Sequence, residues 1–533
     1  MGQRFRAGCS PDEVMLMPAD PREWLPPGHL AWKVMSLAAE MDLSRFGASY
    51  RRDGQGGRPY HPRMMATLLL YSWCRGRRSS REIEMATFDD VGARIICGGL
   101  HPDHCTVADF VRRNMDAVLA LLPESVKACA REGLVSLEVV AGDGTKLKAN
   151  AAMAANLTRE QLDAQISELE AWIDAEFARW AADFLDAEAG TASRPGGDGP
   201  GGGKRKWKKK PARAGQMLQA RLDARARLDA VAGKDQGKLD ARIAELAARI
   251  GRKEAAVARW EAEAAARLQD RAAKTAAGQR IRGRRPIASV SEDRDVRNAR
   301  QALGRTRADY DAAVQAAAAP TGDPDAKINA ADPSSRVMPL KKGGFDQLHN
   351  VQALATARTQ VILAITRHPS PVDVAALAPL LGKARETLAA AGITDPIRKA
   401  LFDAGYASDD NFTLDIPERL YIAVTREARQ TGRSPDGRAP KTMLPSWEDM
   451  TARLDTPEGR QLYRQRSATI EPVFAQLTAR LGRTLHYRGS LIDAELALWA
   501  ASHNILKAIT ARTKQLARQA RTATTAAAAP AAT

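Results

Sequence analysis

No stretch of the sequence reaches the roughly 18 consecutive apolar residues that a membrane helix needs, the nearest being residues 64–74. The opening MGQRFRAGCSPDEV also lacks the apolar core of a signal peptide. No membrane partner is therefore expected. Cysteine is scarce: five residues, at 9, 74, 97, 105 and 129, with no CxxC spacing. An odd, scattered set excludes a disulfide framework and predicts reduced thiols in a cytoplasmic protein. Aromatic residues make up only 5% while hydrophobic residues reach 44% and Ala is abundant, a balance that favours helix over a β-sandwich. Negative charge is in deficit. Lys and Arg number 80 against 63 Asp and Glu, giving a formal net charge of +17. Such an excess attracts polyanions, of which a phosphate backbone is the commonest, although a basic composition that only aids solubility reads almost as well. At 533 residues the chain needs two to four structural units.

Residues 1–135 read as a helical unit. A Gly/Arg-rich loop at 51–62 precedes Arg63-Met-Met-Ala-Thr-Leu-Leu-Leu-Tyr-Ser-Trp, apolar on most faces and so a buried helix. Ser79-Ser-Arg-Glu opens a second helix as a capping box. Thr106 is the expected N-cap of a third, with Arg112 and Arg113 in its second turn. A β-branched run, Leu137-Glu-Val-Val-Ala-Gly-Asp-Gly, then ends in Asp143. From 157 the pattern changes. Leu162, Ile166, Leu169 and Ile173 recur with 4-3-4 spacing, and Leu239, Ile243, Leu246, Ile250, Val257 and Trp260 continue a similar stripe with Lys253 in its seam. This predicts a helical, coiled-coil insertion over 157–330. Gly- and Pro-rich residues 190–216 read as a disordered basic linker within it, with Lys204, Lys208 and Trp207 at its heart. That cluster suits phosphate gripping with base stacking, or a solvated loop tip. Strand-like sequence resumes near 348–365 as a hairpin, followed by a helix over 371–391. Ile397-Arg-Lys-Ala-Leu-Phe reads as another strand, ending in Asp403. Residues 457–518 read as helix with a loop near Arg488-Gly489, and 516–533 as a disordered tail.

With 157–330 set aside, the order is strand and Asp143, two strands, helix, strand and Asp403, helix and Glu471. An RNase H-like α/β core, assembled from 136–156 and 331–515, puts the ends of its first and fourth strands side by side. Two Asp there, with a carboxylate from a following helix, could hold two Mg²⁺ ions. The glycines flanking Asp143, and Gly405 after Asp403, would let a phosphate backbone come close. Each acid has a plainer reading. An Asp after a strand is usually a turn or cap residue, and a Glu before proline, as at Glu471, commonly starts a helix. Asp332, in Asp-Pro-Ser-Ser, reads as a turn. Cys97, His101, His104 and Cys105 lie close enough to suggest zinc, but adjacent His104 and Cys105 would strain tetrahedral ligation, so no zinc site is expected.

Several segments together resemble the DDE transposases of bacterial insertion sequences, in the eleven-eighty-two group of the RNase H-like superfamily. They are Gly142-Asp-Gly-Thr-Lys-Leu-Lys-Ala-Asn150, Asp332-Pro-Ser-Ser-Arg-Val-Met338 with residues 343–353, Asp403-Ala-Gly-Tyr406, and Tyr463-Arg-Gln-Arg-Ser-Ala-Thr-Ile-Glu471-Pro-Val-Phe. Tyr487-Arg-Gly489, His503-Asn-Ile-Leu-Lys507 and, N-terminally, Arg58-Pro-Tyr-His-Pro-Arg63 and His101-Pro-Asp-His104 fit the same pattern. The chain departs from it in two places. Thr478 stands seven residues after the Glu where the superfamily has a Lys, leaving Arg480 as the nearest base, and the spacing from Arg466 to Glu471 is one residue longer.

The resemblance implies catalytic, metal-binding Asp143, Asp403 and Glu471 with Mg²⁺ or Mn²⁺, most simply two ions. It implies Arg466 on DNA phosphates near the active site and Tyr463 orienting the strand or the Glu. It also implies double-stranded DNA partners (terminal inverted repeats and target), an oligomer, most simply a homodimer, and association with the nucleoid. A nuclease of the same fold without strand transfer, and a non-catalytic basic coiled-coil DNA-binding protein from a decayed element, are the alternatives.

Overall fold

The computed structural model describes residues 20–48, 50, 58–188, 203–277, 289–318, 326–340, 343–424 and 445–527. Cys9, the loop at 51–57 and linker residues 189–202 lie outside the described residues. The chain divides into two compact units, Met1–Ala151 with Ser334–Thr533, and Ala152–Pro333.

The first unit begins with helices α1 (Leu30–Glu40), α2 (Pro62–Cys74), α3 (Ser80–Asp89), α4 (Val91–Cys97), α5 (His104–Arg113), α6 (Met115–Leu119) and α7 (Leu121–Arg131). Every residue of α2 from Met65 to Cys74 is buried, which accounts for its lack of a polar face. At α3 the Ser79 hydroxyl accepts the Glu82 N–H while the Glu82 carboxylate accepts the Ser79 N–H, the reciprocal cap expected from the sequence. At α5 the cap differs from expectation: Asp103, not Thr106, is the N-cap, its carboxylate accepting the Thr106 N–H at 2.7 Å. An ionised acceptor at a helix N-terminus gains from the helix dipole as well as the hydrogen bond. Strand β1 (Val139–Lys148) follows.

The second unit comprises β2 (Asn156–Leu157), α8 (Arg159–Glu188), α9 (Gly203–Ala276), α10 (Arg294–Ala318) and β3 (Ile328–Asn329). Side-chain pairs fix the helix directions. Arg221 meets Gln165 and Arg225 meets Asp163, so α9 runs antiparallel to α8. Arg267 meets Asp293 and Arg307 meets Glu254, so α10 runs antiparallel to α9. Lys253, expected to spoil an apolar seam, is satisfied there by the Ala302 carbonyl at 2.8 Å and the Thr306 hydroxyl at 2.6 Å. Residues 203–216, expected in a disordered linker, are the first turns of α9. Lys, Arg and Ala are good helix formers and outweigh the single Pro211. Asp332 is fully buried, and its N–H donates to Asn329 Oδ1, the turn expected from its sequence.

Back in the first unit come β4 (Arg336–Pro339), β5 (Phe345–Thr356), β6 (Ile362–His368), α11 (Leu377–Ala390), β7 (Lys399–Phe402), α12 (Asp409–Phe412) and β8 (Arg419–Ile422). Helices α13 (Pro445–Asp455), α14 (Pro457–Tyr463), α15 (Gln465–Leu481) and α16 (Leu491–Ala527) complete it. The sheet runs β6-β5-β1-β7-β8, with short β4 also on β5. β5 is antiparallel to both its neighbours β1 and β6, while β7 lies parallel to β1 and β8 parallel to β7. One apolar core joins α1–α7, the sheet and α16, so residues 1–135 share their core with the sheet. Residues 516–527, expected as tail, continue α16. Ala, Arg and Gln extend a helix already anchored in the core. Among the described residues no helix is long and apolar enough to cross a membrane, and Cys74, Cys97, Cys105 and Cys129 are free thiols.

Two of the sequence signatures prove to be fastenings. The loop around Tyr487-Arg488-Gly489 is held by buried Glu495, whose carboxylate accepts the His486 and Tyr487 N–H groups. Asn504 is buried and pairs with both the N–H and the carbonyl of Ile362, tying α16 to β6. Such buried amides are costly to leave unmade.

Candidate active site

Asp143 and Asp403 are brought together by strand pairing. Ala141 faces Leu401 across the parallel β1–β7 pair, and each Asp lies two residues further along its chain. Burial pushes the Asp143 carboxyl above its ordinary pKa, and the charge of Asp403 adds to the push; the Gly144 N–H and Arg466 only partly offset it. The Asp403 carboxylate accepts the Gly405 N–H at 2.9 Å, capping a short turn at Ala404–Tyr406. Asp143 likewise accepts the Gly144 N–H at 2.7 Å.

Arg466, in the first turn of α15, reaches across to this pair. Its Nη1 donates to Asp143 Oδ2 at 3.1 Å, and its Nη2 stands 3.9 Å from Glu471 Oε1. Burial opposes the guanidinium charge, but Tyr463, Asp143 and Asp403 around it hold its pKa above the ordinary value. Tyr463, at the end of α14, is half-buried with its phenol pKa raised, chiefly by that burial. Glu471 is the odd one of the three acids. It sits on α15 with a side chain 63% exposed, and among the described residues its ionic contact toward the pair is Arg466. Among the described residues no group of three or more His, Cys, Asp or Glu side chains is gathered to hold a metal ion.

Glu471 also does not start a helix. It lies inside α15, followed by Pro472. Proline lacks the N–H that would bond to the Ala468 carbonyl, and Gln360 Nε2 donates to that carbonyl instead at 3.2 Å.

A fourth acid, not singled out from the sequence, stands beside the pair. Asp373 accepts from Asn350 Nδ2 at 2.8 Å and Gln352 Nε2 at 2.7 Å, and Gln352 in turn accepts the buried Tyr406 hydroxyl. A Cβ on Gly144 would fall 3.1 Å from Asp373 Oδ1, and one on Gly405 3.3 Å from Asp373 Oδ2. Residue 373 ends a loop before α11 and reads locally as a cap; only the tertiary fold gives it away. The glycines around Asp143 have a different use from the one expected. A Cβ at Gly142 would overlap the Phe402 ring and one at Gly144 would overlap Gln352, so they permit close packing inside the sheet.

The remaining sequence candidates have other surroundings within their own units. Arg480 is nine residues beyond Glu471 on α15, about two and a half turns, and so faces the opposite side. It donates to Ser502 Oγ at 3.2 Å. Arg112 and Arg113 are exposed on α5 and both pair with Asp109. Lys204 and Lys208 belong to the first turns of α9 in the second unit. Of the residues weighed for zinc, His104 pairs with Glu84 at 2.7 Å, and His101 meets the Thr87 hydroxyl and stacks on Phe88. Cys97 is buried, with its thiol pushed up to about 12 by burial, while Cys105 is exposed.

Asp143, inside β1, and Asp403, just past the end of β7, form an acidic pair with Arg466 beside it, a class of arrangement that can gather a cation and suits phosphoryl chemistry. The family comparisons agree with that class. Residues 19–113 match the family described as Transposase domain (DUF772), and residues 439–509 match the one described as Transposase DDE domain. The matches bear out the resemblance to the DDE transposases of insertion sequences. Tyr463, Arg466 and Glu471 fall inside the second match; Asp143 and Asp403 fall outside both. Neither the curated proteins nor the solved structures contain a match.

Proposed function

We propose that the chain is a metal-dependent DNA transposase, with Asp143, Asp403 and Glu471 as its catalytic carboxylates on an RNase H-like core. The observation that carries the reading is the pairing of Asp143 and Asp403 on neighbouring parallel strands, close enough for one charge to raise the other's pKa. The strand order β6-β5-β1-β7-β8, three antiparallel strands followed by two parallel to the first, supports that core.

The donor set suits a hard divalent cation, Mg²⁺ or Mn²⁺. The facing groups are carboxylate oxygens, and they repel one another until positive charge lies between them. Asp143 and Asp403 would hold the ions, with exposed Glu471 free to swing toward them. Bound there, such ions supply the charge that activates an attacking oxygen and steadies a leaving 3′ oxygen. The protein's own groups do the positioning. Arg466, paired with Asp143, would turn to a DNA phosphate, and Tyr463 would fix its direction. Asn350 and Gln352 hold Asp373 rigidly beside Asp403, so the carboxylate wall does not shift as substrate enters. Hydrolysis at the element's ends and transfer of the freed 3′-hydroxyl are both in-line displacements at phosphorus, so one site serves both.

Two ends must be handled together, which calls for an oligomer, most simply a homodimer. The antiparallel helices α8, α9 and α10, read as a coiled coil, are one means of forming it. Nucleoid association follows from the DNA substrate. The test incubates the purified protein with Mg²⁺ and DNA carrying the element's own ends. A transposase yields cleaved ends and joined products, a nuclease yields cleavage alone, and a decayed DNA-binding protein yields neither.

A further inference from the structure

The last sequence signature, His503-Asn-Ile-Leu-Lys507, is only partly used up by the Asn504 fastening. His503, Lys507, Thr510 and Lys514 recur at 4-3-4 spacing and so share one face of α16. That face lines an open groove of about 800 Å³ whose far wall is α15, through Gln476 and Arg480, and whose end is the β5–β6 turn at Thr359. Buried His503 forms part of its floor, its Nε2–H donating to the Gln360 carbonyl at 2.8 Å.

Among the described residues, three cations line the groove and no carboxylate does. Arg480 Nε is buried with no hydrogen-bond partner, and the side chain's contact is to the neutral Ser502 hydroxyl. Lys507 Nζ donates to the neutral Gln360 Oε1 at 2.8 Å, and burial, with Lys514 nearby, holds its ammonium below the ordinary pKa. Lys514 is exposed at the groove's mouth. None of the three makes an ion pair among the described residues. Other partly buried arginines of this unit do so: Arg512, on the same helix, pairs with both Glu40 and Glu132, and Arg367 pairs with Asp493. Half-buried cations set side by side without a counter-charge carry a desolvation cost that an anion would offset. Neutral donors at Thr359, Gln476 and Thr510 border the same space.

We propose that this groove binds the sugar-phosphate backbone of double-stranded DNA, as a site separate from the carboxylates. The inference rests on the proposed function for the identity of the polyanion. Arg480 lies about 13 Å along α15 from Glu471 and on its opposite face, so the groove holds DNA beyond the reacting bond. Its contacts are to phosphates, which makes them independent of base sequence.

The test measures fluorescence anisotropy of a labelled mixed-sequence duplex of about 30 base pairs over a salt series, without divalent metal so that cleavage cannot intervene. Each phosphate contact adds roughly 0.9 to the slope of log affinity against log salt. The Arg480→Gln, Lys507→Gln, Lys514→Gln triple variant is expected to lose about two to three units of slope, and roughly 10- to 100-fold in affinity near 0.15 M salt. Lys383→Gln, Arg398→Gln, Arg419→Gln removes the same charge away from the groove and is expected to change the slope by less than about one unit. The Lys507→Gln, Lys514→Gln double variant leaves half-buried Arg480 in place and guards against misfolding, with thermal unfolding as the check. Folded groove variants that bind like the control overturn the inference. If those variants lose DNA while Asp143→Asn still cleaves it, the catalytic reading fails and the groove stands; if wild type binds no DNA, both fail.

Discussion

Helix α15 carries an arginine toward each end, and the two live in opposite surroundings. Arg466 lies among acids, paired with Asp143 and close to Glu471. Arg480 lies among cations, with a neutral hydroxyl as its contact and Lys507 and Lys514 sharing its groove. On the proposed function and the groove inference, the difference would separate two jobs: the first end, with negative charge, would gather a cation, and the second, with positive charge, would hold a polyanion. Net charge cannot distinguish them; local compensation can.

The largest expected effect breaks the acidic end. Asp143→Asn and Asp403→Asn keep size and most hydrogen bonding but remove the charge that would retain the ions, so DNA cleavage should fall by orders of magnitude. DNA affinity should persist or rise slightly, because acids near a phosphate repel it when no metal is bound. Cleavage and gel-shift titrations on one DNA read both effects. Glu471→Gln sharpens the point. If this exposed carboxylate swings in only on catalysis, its loss lowers cleavage while leaving metal-free stability almost unchanged.

A smaller effect concerns Arg466. Arg466→Gln leaves buried Asp143 facing Asp403 without its guanidinium partner, at a cost of about 1–3 kcal/mol in stability. Thermal unfolding with and without Mg²⁺ checks this. The cation should recover more stability in the variant than in wild type, since it takes over the lost positive charge. Equal recovery would detach Arg466 from the acid pair.

The basic end has a pH signature. Burial holds the His503 pKa down at about 4, against 6.5 for a free imidazole, with Lys507 and Arg480 adding to the effect. A base whose folded pKa is depressed contributes stability that is whole above pH 6.5 and is lost as pH falls toward 4. The window is about two and a half units, or about 3 kcal/mol. Urea unfolding at pH 7, 5.5 and 4 should show it, and His503→Gln should flatten that part of the profile. The smallest effect belongs to Arg112 and Arg113. They share one Asp109 partner at the surface, so their replacement by Gln should weaken DNA binding only a few-fold and lower the salt slope by about one to two units.

What the sequence disclosed followed local pattern. The Ser79–Glu82 capping box, the strands leading to Asp143 and Asp403, and the β5–β6 hairpin were legible because turn chemistry and strand periodicity are written in neighbouring residues. The cap at Asp103 was missed because two capping residues stand three apart and only geometry chooses between them. Strands β4 and β8 are four residues each and too short to carry a period. Residues 203–216 and 516–527 were read as disordered from their composition, yet Lys, Arg and Ala continue helices there. At the candidate site, Tyr463, Arg466 and Glu471 share one stretch of chain and could be read together. Asp373 could not, because it comes beside Asp403 only through β5, which supplies Asn350 and Gln352. The groove was hidden similarly: Arg480 and Lys507 lie on different helices, and their lack of acidic partners among the described residues is a fact of packing.

The central claim is that Asp143 and Asp403 form the reacting site, and one side-by-side cleavage measurement tests it most directly. Wild type, Asp143→Asn and Asp403→Asn are incubated with Mg²⁺ and the same end-bearing DNA, at concentrations where gel shifts show equal binding. The account predicts cleaved and joined DNA from wild type and products reduced by orders of magnitude from both variants. Variants that cut at wild-type rate while binding the same DNA would contradict it.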